Sequence, residues 1–159
     1  MAEQKVKTDN TKTITVNRKA YHDYFIEESI EAGLVLTGTE IKSVRESRVN
    51  ISEAYAKLEN GELWLLNCHI AQYSAGNRYN HEPTRPRKLL LHKKEIAILT
   101  IDAARKGLTL VPTKMYLKDG RAKIEISLAK GKKLYDKRRS DAKRESDRDI
   151  RQAVKVSKR

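Results

Sequence analysis

The sequence predicts a mainly β protein: a small antiparallel barrel with two or three short helices and a basic C-terminal tail that is disordered when free. Two hairpin signals predict the barrel, because Asn60-Gly61 and Asp119-Gly120 each lie between stretches of alternating apolar residues. Only short helical segments separate the strands, which argues against a βαβ sheet. The tail is predicted from its composition, since residues 134–159 contain few aliphatic side chains.

Apolar periodicity and turn residues predict the individual elements. Residues 1–13 are polar and aperiodic and are predicted to be disordered, so the barrel is expected to span residues 14–130. The predicted strands are 21–26, 34–36, 54–59, 62–70, 89–91, 108–111, 115–117 and 124–128. The predicted helical segments are a turn or short helix at 17–20 and helices at 40–45 and 93–105.

Each of these elements has a local reason. The segment 21–26 is aromatic and β-favouring, and the spacing of Ile41 and Val44 is typical of a short helix with one buried stripe. Strict alternation of apolar and polar side chains over 124–128 predicts a half-buried strand. Gly107 is a natural end for the helix at 93–105.

The size and composition of the chain exclude several classes of protein. It has 159 residues, a net charge of +13 and one cysteine, which cannot form an internal disulfide. No apolar run approaches the ~20 residues of a spanning helix, and the polar N-terminus does not have the pattern of a secretory signal. We therefore expect one domain in a cytoplasmic, monomeric protein that does not bind membranes.

The charge is concentrated in the tail. Residues 130–159 hold 13 basic and 5 acidic side chains, a net charge of +8, which favours a polyanionic partner. Helical pairs such as Lys137–Asp141 contribute only tenths of a kcal/mol each, whereas ordering the chain costs about 1–2 kcal/mol per residue. We therefore expect the tail, residues 131–159, to fold as a helix only on a partner.

The sequence has no pattern typical of an enzyme or of a metal site. Its four histidines lack the spacing of metal ligands. Gly131-Lys132 resembles the end of a phosphate-binding loop, but Lys133 follows where Ser or Thr is required, and Ile126 stands where the first glycine is required. We therefore predict that the protein is not an enzyme and uses neither a metal ion nor a cofactor.

Three groups of cations are candidates for contacts with RNA. Arg18 and Lys19 lie beside aromatic side chains, which is typical of RNA contacts, although the alternative is a strand start with solvated charges. The second group flanks the short apolar strand 89–91 and consists of Arg85, Arg87, Lys88, Lys93 and Lys94. Here the alternative is a buried strand guarded by charges. The third group, within 130–139, lies beside a glycine at the start of the tail and favours phosphate contacts.

A series of short motifs resembles one protein family. In chain order these motifs are Asn17-Arg18-Lys19-Ala20, Tyr24-Phe25-Ile26-Glu27, Glu31-Ala32-Gly33, Gly38-Thr39-Glu40-Ile41-Lys42-Ser43-Val44-Arg45, Arg87-Lys88-Leu89-Leu90-Leu91, Ala129-Lys130-Gly131-Lys132-Lys133 and Asp136-Lys137-Arg138. Their order and spacing resemble the small protein B family, the SsrA-binding proteins of bacterial trans-translation. The likeness extends from about residue 14 into the tail.

The resemblance implies an oligonucleotide-binding (OB-like) barrel that binds the tRNA-like domain of transfer-messenger RNA (tmRNA). It also implies that the protein delivers alanyl-tmRNA, together with elongation factor Tu, to stalled ribosomes and takes the place of the anticodon arm of a tRNA. The tail would then enter the empty mRNA channel as a helix. The alternative is a general single-strand RNA-binding or ribosomal protein.

The resemblance also assigns roles to single residues. Glu31 matches an RNA-gripping acid of the family, and Leu90 matches a leucine of its Arg-Lys-Leu-Leu-Leu strand. His92 stands where the family often has Asn, and both side chains form hydrogen bonds; Tyr135 stands where a stacking ring is expected. The predicted RNA-binding residues are Arg18, Lys19, His22, Tyr24, Glu31, Arg45, Arg87, Lys88, Leu90 and His92. The predicted contacts with the decoding region and the mRNA channel are Gly131, Lys132, Lys133, Tyr135, Asp136, Lys137 and Arg138.

Overall fold

A computed structural model describes residues 10–75 and 80–157 of the chain. These residues contain nine strands and four helices. The strands are β1 (Thr11–Val16), β2 (Tyr24–Leu34), β3 (Val49–Asn50), β4 (Tyr55–Glu59), β5 (Glu62–Leu66), β6 (His69–Ile70), β7 (Arg87–Leu90), β8 (Thr109–Lys118) and β9 (Arg121–Gly131). The helices are α1 (Arg18–Asp23), α2 (Gly38–Arg45), α3 (Lys93–Lys106) and α4 (Leu134–Ser157).

Seven of the strands form one antiparallel sheet in the order β1-β8-β4-β5-β7-β2-β9, while β3 pairs with β6. Strand β8 uses both of its edges, because it pairs with β9 along its length and with β1 and β4 on the other side. A mainly β protein with an antiparallel sheet and short helices is therefore confirmed. The finer prediction of an OB-like barrel stays a prediction.

Both predicted hairpins are present. Strand β4 pairs with β5 from Tyr55↔Leu66 to Glu59↔Glu62, and the turn residue Asn60 has a φ of 51°. Strands β8 and β9 form the second, longer hairpin through Asp119, which also has a φ of 51°. The glycine that follows each of these residues has a positive φ as well, as a type I′ turn requires.

The core is formed by apolar side chains of the sheet together with one face each of α2 and α3. Val44 and Leu99 are the buried aliphatic side chains of these two helices. The largest fully buried apolar side chains are Ile51, Leu63, Leu65, Ile70, Leu89, Met115, Ile124, Ile126 and Leu128. Ile124, Ile126 and Leu128, the aliphatic residues of the predicted alternation over 124–128, therefore point into the core.

The predicted disordered N-terminus needs a correction at its inner end. Residues 1–9 lie outside the described residues, but Thr11–Thr13 are part of β1. This strand pairs with β8 from Thr11↔Lys118 to Val16↔Lys114. Its threonines are β-branched and suit a half-exposed strand, so the polar composition concealed a β-favouring segment.

The tail also differs from its prediction, since residues 134–157 form helix α4 rather than a chain without structure. Arg, Lys, Ala, Glu and Gln favour helices, and neither glycine nor proline interrupts α4. None of its residues is buried, so packing against a core does not stabilise it. No helix in the described part of the chain is long and apolar enough to span a membrane.

Candidate nucleic-acid interface

Three of the predicted RNA-binding residues meet at one groove of about 380 Å³, where β2, β7 and the start of α3 come together. We call it the Glu31 groove. Its lining residues are Glu31, Gly33, Leu90, Leu91, His92, Glu95 and Lys123. The structure therefore places Glu31, Leu90 and His92 side by side, although they are far apart in the sequence.

The pairing of β2 with β7 builds the floor of this groove. Gly33 lies opposite Leu90, and a Cβ atom at position 33 would come within 3.2 Å of the Leu90 Cβ. The lack of a side chain at Gly33 therefore allows Leu90 to lie close to β2 while remaining 50% exposed. His92 is the N-cap of α3, and its backbone N–H donates a hydrogen bond of 3.0 Å to the Glu95 carboxylate. His92 is exposed.

The Glu31 carboxylate is held from the neighbouring hairpin. The Tyr116 hydroxyl donates a hydrogen bond to Glu31 Oε2, and Lys118 Nζ lies 3.8 Å from Glu31 Oε1. Burial, followed by the hydrogen bond to Glu31 and its negative charge, raises the pKa of Tyr116 well above its ordinary value. The hydroxyl therefore stays protonated and remains a donor that fixes the carboxylate at the rim of the groove.

Sequence reasoning missed the cations that surround Glu31. Lys118, Arg121 and Lys123 line a groove that also contains Glu31, and Lys123 lies opposite Gly33 in the β2–β9 pairing. The sequence feature that could have indicated Lys123 is the predicted alternation around Ile124, because it places Lys123 on the outer face of β9. Only the strand register brings that face next to Glu31.

The structure corrects the prediction that Arg87 contacts RNA. Arg87 is fully buried, and its guanidinium donates hydrogen bonds to the Glu40 carboxylate and to the carbonyl oxygens of Cys68 (2.6 Å) and Pro83 (3.0 Å). Arg85 pairs with the same carboxylate at 2.5 Å. A side chain that is closed off from solvent cannot reach a phosphate, so Arg87 stabilises the position of β7 instead.

Lys88 and Arg45 do not line the Glu31 groove. Lys88 lies on the outer side of β7, where its Nζ is 2.9 Å from Glu62 Oε1. Arg45 is exposed at the end of α2. Both cations remain accessible to a polyanion, so their predicted role stays a prediction.

The other predicted RNA-binding residues lie on and beside α1. Arg18 is exposed, and Lys19 Nζ forms an ion pair with Glu53. Tyr24 is half-buried and packs against a small apolar cluster at the start of β2. Seven residues of an extended strand separate Tyr24 from Glu31, roughly 23 Å. The predicted residues at α1 therefore form a surface separate from the Glu31 groove.

The α1 surface contacts the tail through a set of polar side chains that we call the tail junction: His22, Asp23, Lys132, Lys137 and Asp141. His22 Nδ1 lies 2.9 Å from Asp23 Oδ1, and its Nε2 lies 3.0 Å from Asp141 Oδ1. Lys137 Nζ is 3.5 Å from Asp23. The side chains of Lys137 and Asp141, predicted as an i→i+4 pair, thus bind α1 instead.

The tail junction shifts the pKa values of its members. Hydrogen bonds to Asp23 and then to Asp141 raise the pKa of His22. The bond from His22, followed by the charge of Lys137, lowers the pKa of Asp23 against the effect of burial.

Lys132 Nζ also donates a hydrogen bond of 3.2 Å to the Tyr21 carbonyl oxygen and lies 5.2 Å from the centre of the Phe25 ring.

The remaining predicted tail residues lie at the end of β9, just before α4 and in the first two turns of α4. Gly131 pairs with Tyr24 as the last residue of β9. Lys133, Tyr135 and Arg138 are exposed, with Tyr135 at 58%. Their side chains are available to a partner, whereas Lys132 and Lys137 already have partners in α1.

Comparisons with known proteins identify the family of the chain. Residues 14–156 match the family model for the SmpB protein. The chain is 58% identical over 144 residues to the SsrA-binding protein of Desulforudis audaxviator, covering 91% of this chain and 94% of that protein. It is 59% identical over 145 residues to the SsrA-binding protein of Carboxydothermus hydrogenoformans, covering 91% and 97%.

A solved structure is similar as well. It comes from work on tmRNA-SmpB at the centre of the bacterial ribosome, and it is 50% identical to this chain with a TM-score of 0.65. The likeness covers 81% of this chain and 91% of that one. Since the family model spans most of the sequence and the relatives match along nearly their whole length, the chain belongs to the SmpB family.

Proposed function

We propose that this protein binds tmRNA through the Glu31 groove and carries it to stalled ribosomes in trans-translation. The observation that supports this proposal most is the meeting of Glu31, Leu90 and His92 at one groove. Relatives of 58% and 59% identity are SsrA-binding proteins, and the similar solved chain belongs to a tmRNA-SmpB study of the ribosome. In this function the protein breaks and forms no covalent bond. A protein that works on bacterial ribosomes acts in the cytoplasm.

The chemistry of the groove suits an unpaired nucleotide. A carboxylate repels phosphates but accepts hydrogen bonds from base N–H groups and from the 2′-hydroxyl of RNA. Glu31, which is held by Tyr116, supplies that acceptor. Leu90 supplies an apolar contact for a base. The adjacent Lys118 and Lys123 attract the backbone phosphates. The groove therefore combines a base contact with phosphate contacts.

We further propose that the tail enters the mRNA channel of the ribosome, while elongation factor Tu escorts the alanyl-tmRNA. Helix α4 supports this role because none of its residues is buried and it is rich in cations. The OB-like character of the barrel is part of the same proposal. It is supported by β8, which pairs with β9 on one edge and with β1 and β4 on the other.

Removal of the tail separates the two roles. A chain that ends after Lys133 keeps all of β9 and loses α4, which has no buried residue. We expect this variant to bind tmRNA with affinity close to that of the full chain but to lose peptide tagging on stalled ribosomes. A full-length Glu31→Gln variant is the complementary control, because we expect it to bind tmRNA more weakly while its tail is intact.

The binding assay also distinguishes the alternative function. A tmRNA-binding protein should prefer tmRNA to unrelated RNAs of equal length in competition at one stated salt concentration. Equal affinity for all of these RNAs would instead support a general single-strand RNA-binding protein. Equal loss of affinity and tagging in the truncated chain would contradict the division between groove and tail.

A further inference from the structure

Helix α3 has an apolar face that neither the Glu31 groove nor the tail uses. Its inner face packs Leu99 and Ala103 against the core. The residues on the opposite face are all exposed, and we call them the outer face of α3: Lys94, Ala97, Ile98, Ile101, Ala104 and Arg105. Ile98 and Ile101 are 58% and 55% exposed.

The outer face of α3 is a continuous stripe, because its members are spaced by three or four residues or are neighbours. Its centre is entirely apolar, and a cation stands at each end. Eleven residues separate Lys94 from Arg105, which is about 16 Å along a helix. The exposed side of a surface helix is ordinarily polar, so an aliphatic centre bounded by cations indicates an unoccupied contact surface.

The chemistry of this face excludes two occupants. RNA recognition needs stacking rings or hydrogen bonds to the bases, and the centre of this face has neither a ring nor a polar side chain, in contrast to the Glu31 groove, where a carboxylate lies beside Leu90. A second copy of the chain is disfavoured because two such helices packed about a two-fold axis would bring each Lys94 next to an Arg105. No salt bridge within the described residues engages either cation, so both remain available to carboxylates.

We propose that the outer face of α3 is a docking surface for an acidic protein that presents aliphatic side chains between two carboxylates. A single face of a 14-residue helix is small compared with the ~800 Å² per partner of a stable interface, so the contact is transient. This interaction does not depend on tmRNA binding, because the two isoleucines lie outside the residues that line the Glu31 groove.

Two synthetic helical peptides of 14 residues provide a direct test of this surface. Both carry the same leucine stripe, and one has glutamate at each end of the stripe while the other has lysine. We expect the full chain to bind the glutamate peptide about tenfold more tightly in low salt, as measured by fluorescence anisotropy. The charge-reversed variant Lys94→Glu/Arg105→Glu should prefer the lysine peptide instead.

Matched variants keep the proposal falsifiable. Ile98→Ala/Ile101→Ala should fold, since both residues are exposed and alanine favours helices, and it should lose peptide binding and reduce tagging while keeping tmRNA affinity. Val35→Ala/Leu58→Ala removes exposed apolar side chains elsewhere and should change nothing. Equal binding of both peptides, unchanged tagging in the isoleucine variant, concentration-dependent self-association, or isoleucine-dependent binding to phosphatidylglycerol vesicles would each overturn the proposal.

Discussion

Replacing Arg87 with methionine tests whether this cation belongs to the fold or to the RNA. Its guanidinium donates three hydrogen bonds inside the protein, to Glu40 and to two carbonyl oxygens. Loss of one partner of a buried ion pair costs about 3–5 kcal/mol, because the other charge stays buried. Arg85 still pairs with Glu40, so we expect Arg87→Met to lower the free energy of unfolding by about 3 kcal/mol.

Urea denaturation followed by circular dichroism measures this loss. Lys88→Met is the matched control, because it removes the neighbouring cation of the same strand, whose exposed ion pair with Glu62 contributes under about 1 kcal/mol. The double variant Glu40→Gln/Arg87→Met should recover part of the loss, since it leaves no unpaired charge. If Arg87→Met unfolds like the wild type and instead loses tmRNA affinity, the burial argument is wrong and Arg87 contacts RNA.

The same ion pair predicts a dependence of stability on pH. Burial raises the pKa of Glu40, but the Thr37 backbone N–H and the guanidinium groups of Arg85 and Arg87 outweigh it, so the net shift is downward. A depressed pKa in the folded state contributes stability above the unfolded pKa, near 4.5, and this contribution is lost as the pH falls through the folded pKa. Glu40→Gln should therefore reduce the loss of stability as the pH falls below about 4.5.

Three further measurements address the groove, the tail junction and the core. Tyr116→Phe removes the donor to Glu31 and should weaken tmRNA binding about fivefold, equivalent to about 1 kcal/mol, in a filter-binding assay; the same loss in a Glu31→Gln background would contradict this role. Because the pKa of His22 is raised, its contact with Asp141 is complete below about pH 6.5 and is lost as the pH rises through the folded value. Energy transfer between labels on α4 and on the sheet should therefore fall as the pH rises through that value, and His22→Gln should remove this dependence. Burial raises the pKa of Cys68 to about 11, so its thiol should react with a disulfide reagent at pH 8 only as the protein unfolds, and rapid reaction of the folded chain would contradict its burial.

Local signals in the sequence predicted the elements that depend on local structure. Asn60-Gly61 and Asp119-Gly120 adopt positive φ in the turns that they predicted, because that requirement involves only the turn residues themselves. Gly107 ends α3 in the left-handed conformation for the same reason. Strand β1 was missed because its stability comes from pairing with β8, about one hundred residues away along the chain.

The candidate site could be predicted only in part. The residues Glu31, Leu90 and His92 were selected by resemblance, whereas their meeting depends on the β2–β7 register, which sequence periodicity does not fix. Arg87 was misassigned because a charge run gives no information on burial, and only the opposing Glu40 explains why a cation lies in the core. Tyr116 was missed because a strand tyrosine becomes a positioning residue only through its partner on another strand.

The pairing of β2 with β9 connects the two proposed functional surfaces mechanically. Strand β9 begins at the cations beside Glu31 and ends at Gly131, next to Lys132 of the tail junction, while β2 runs antiparallel from Tyr24 to Gly33 beside it. Backbone hydrogen bonds therefore fix the distance between the groove and the start of the tail, roughly 26–33 Å for eight to ten strand residues. A protein that holds one RNA at the groove and places its tail along another needs that distance to be constant. We infer that a rigid two-stranded spacer, more than the amount of positive charge, sets where α4 can reach once tmRNA is bound.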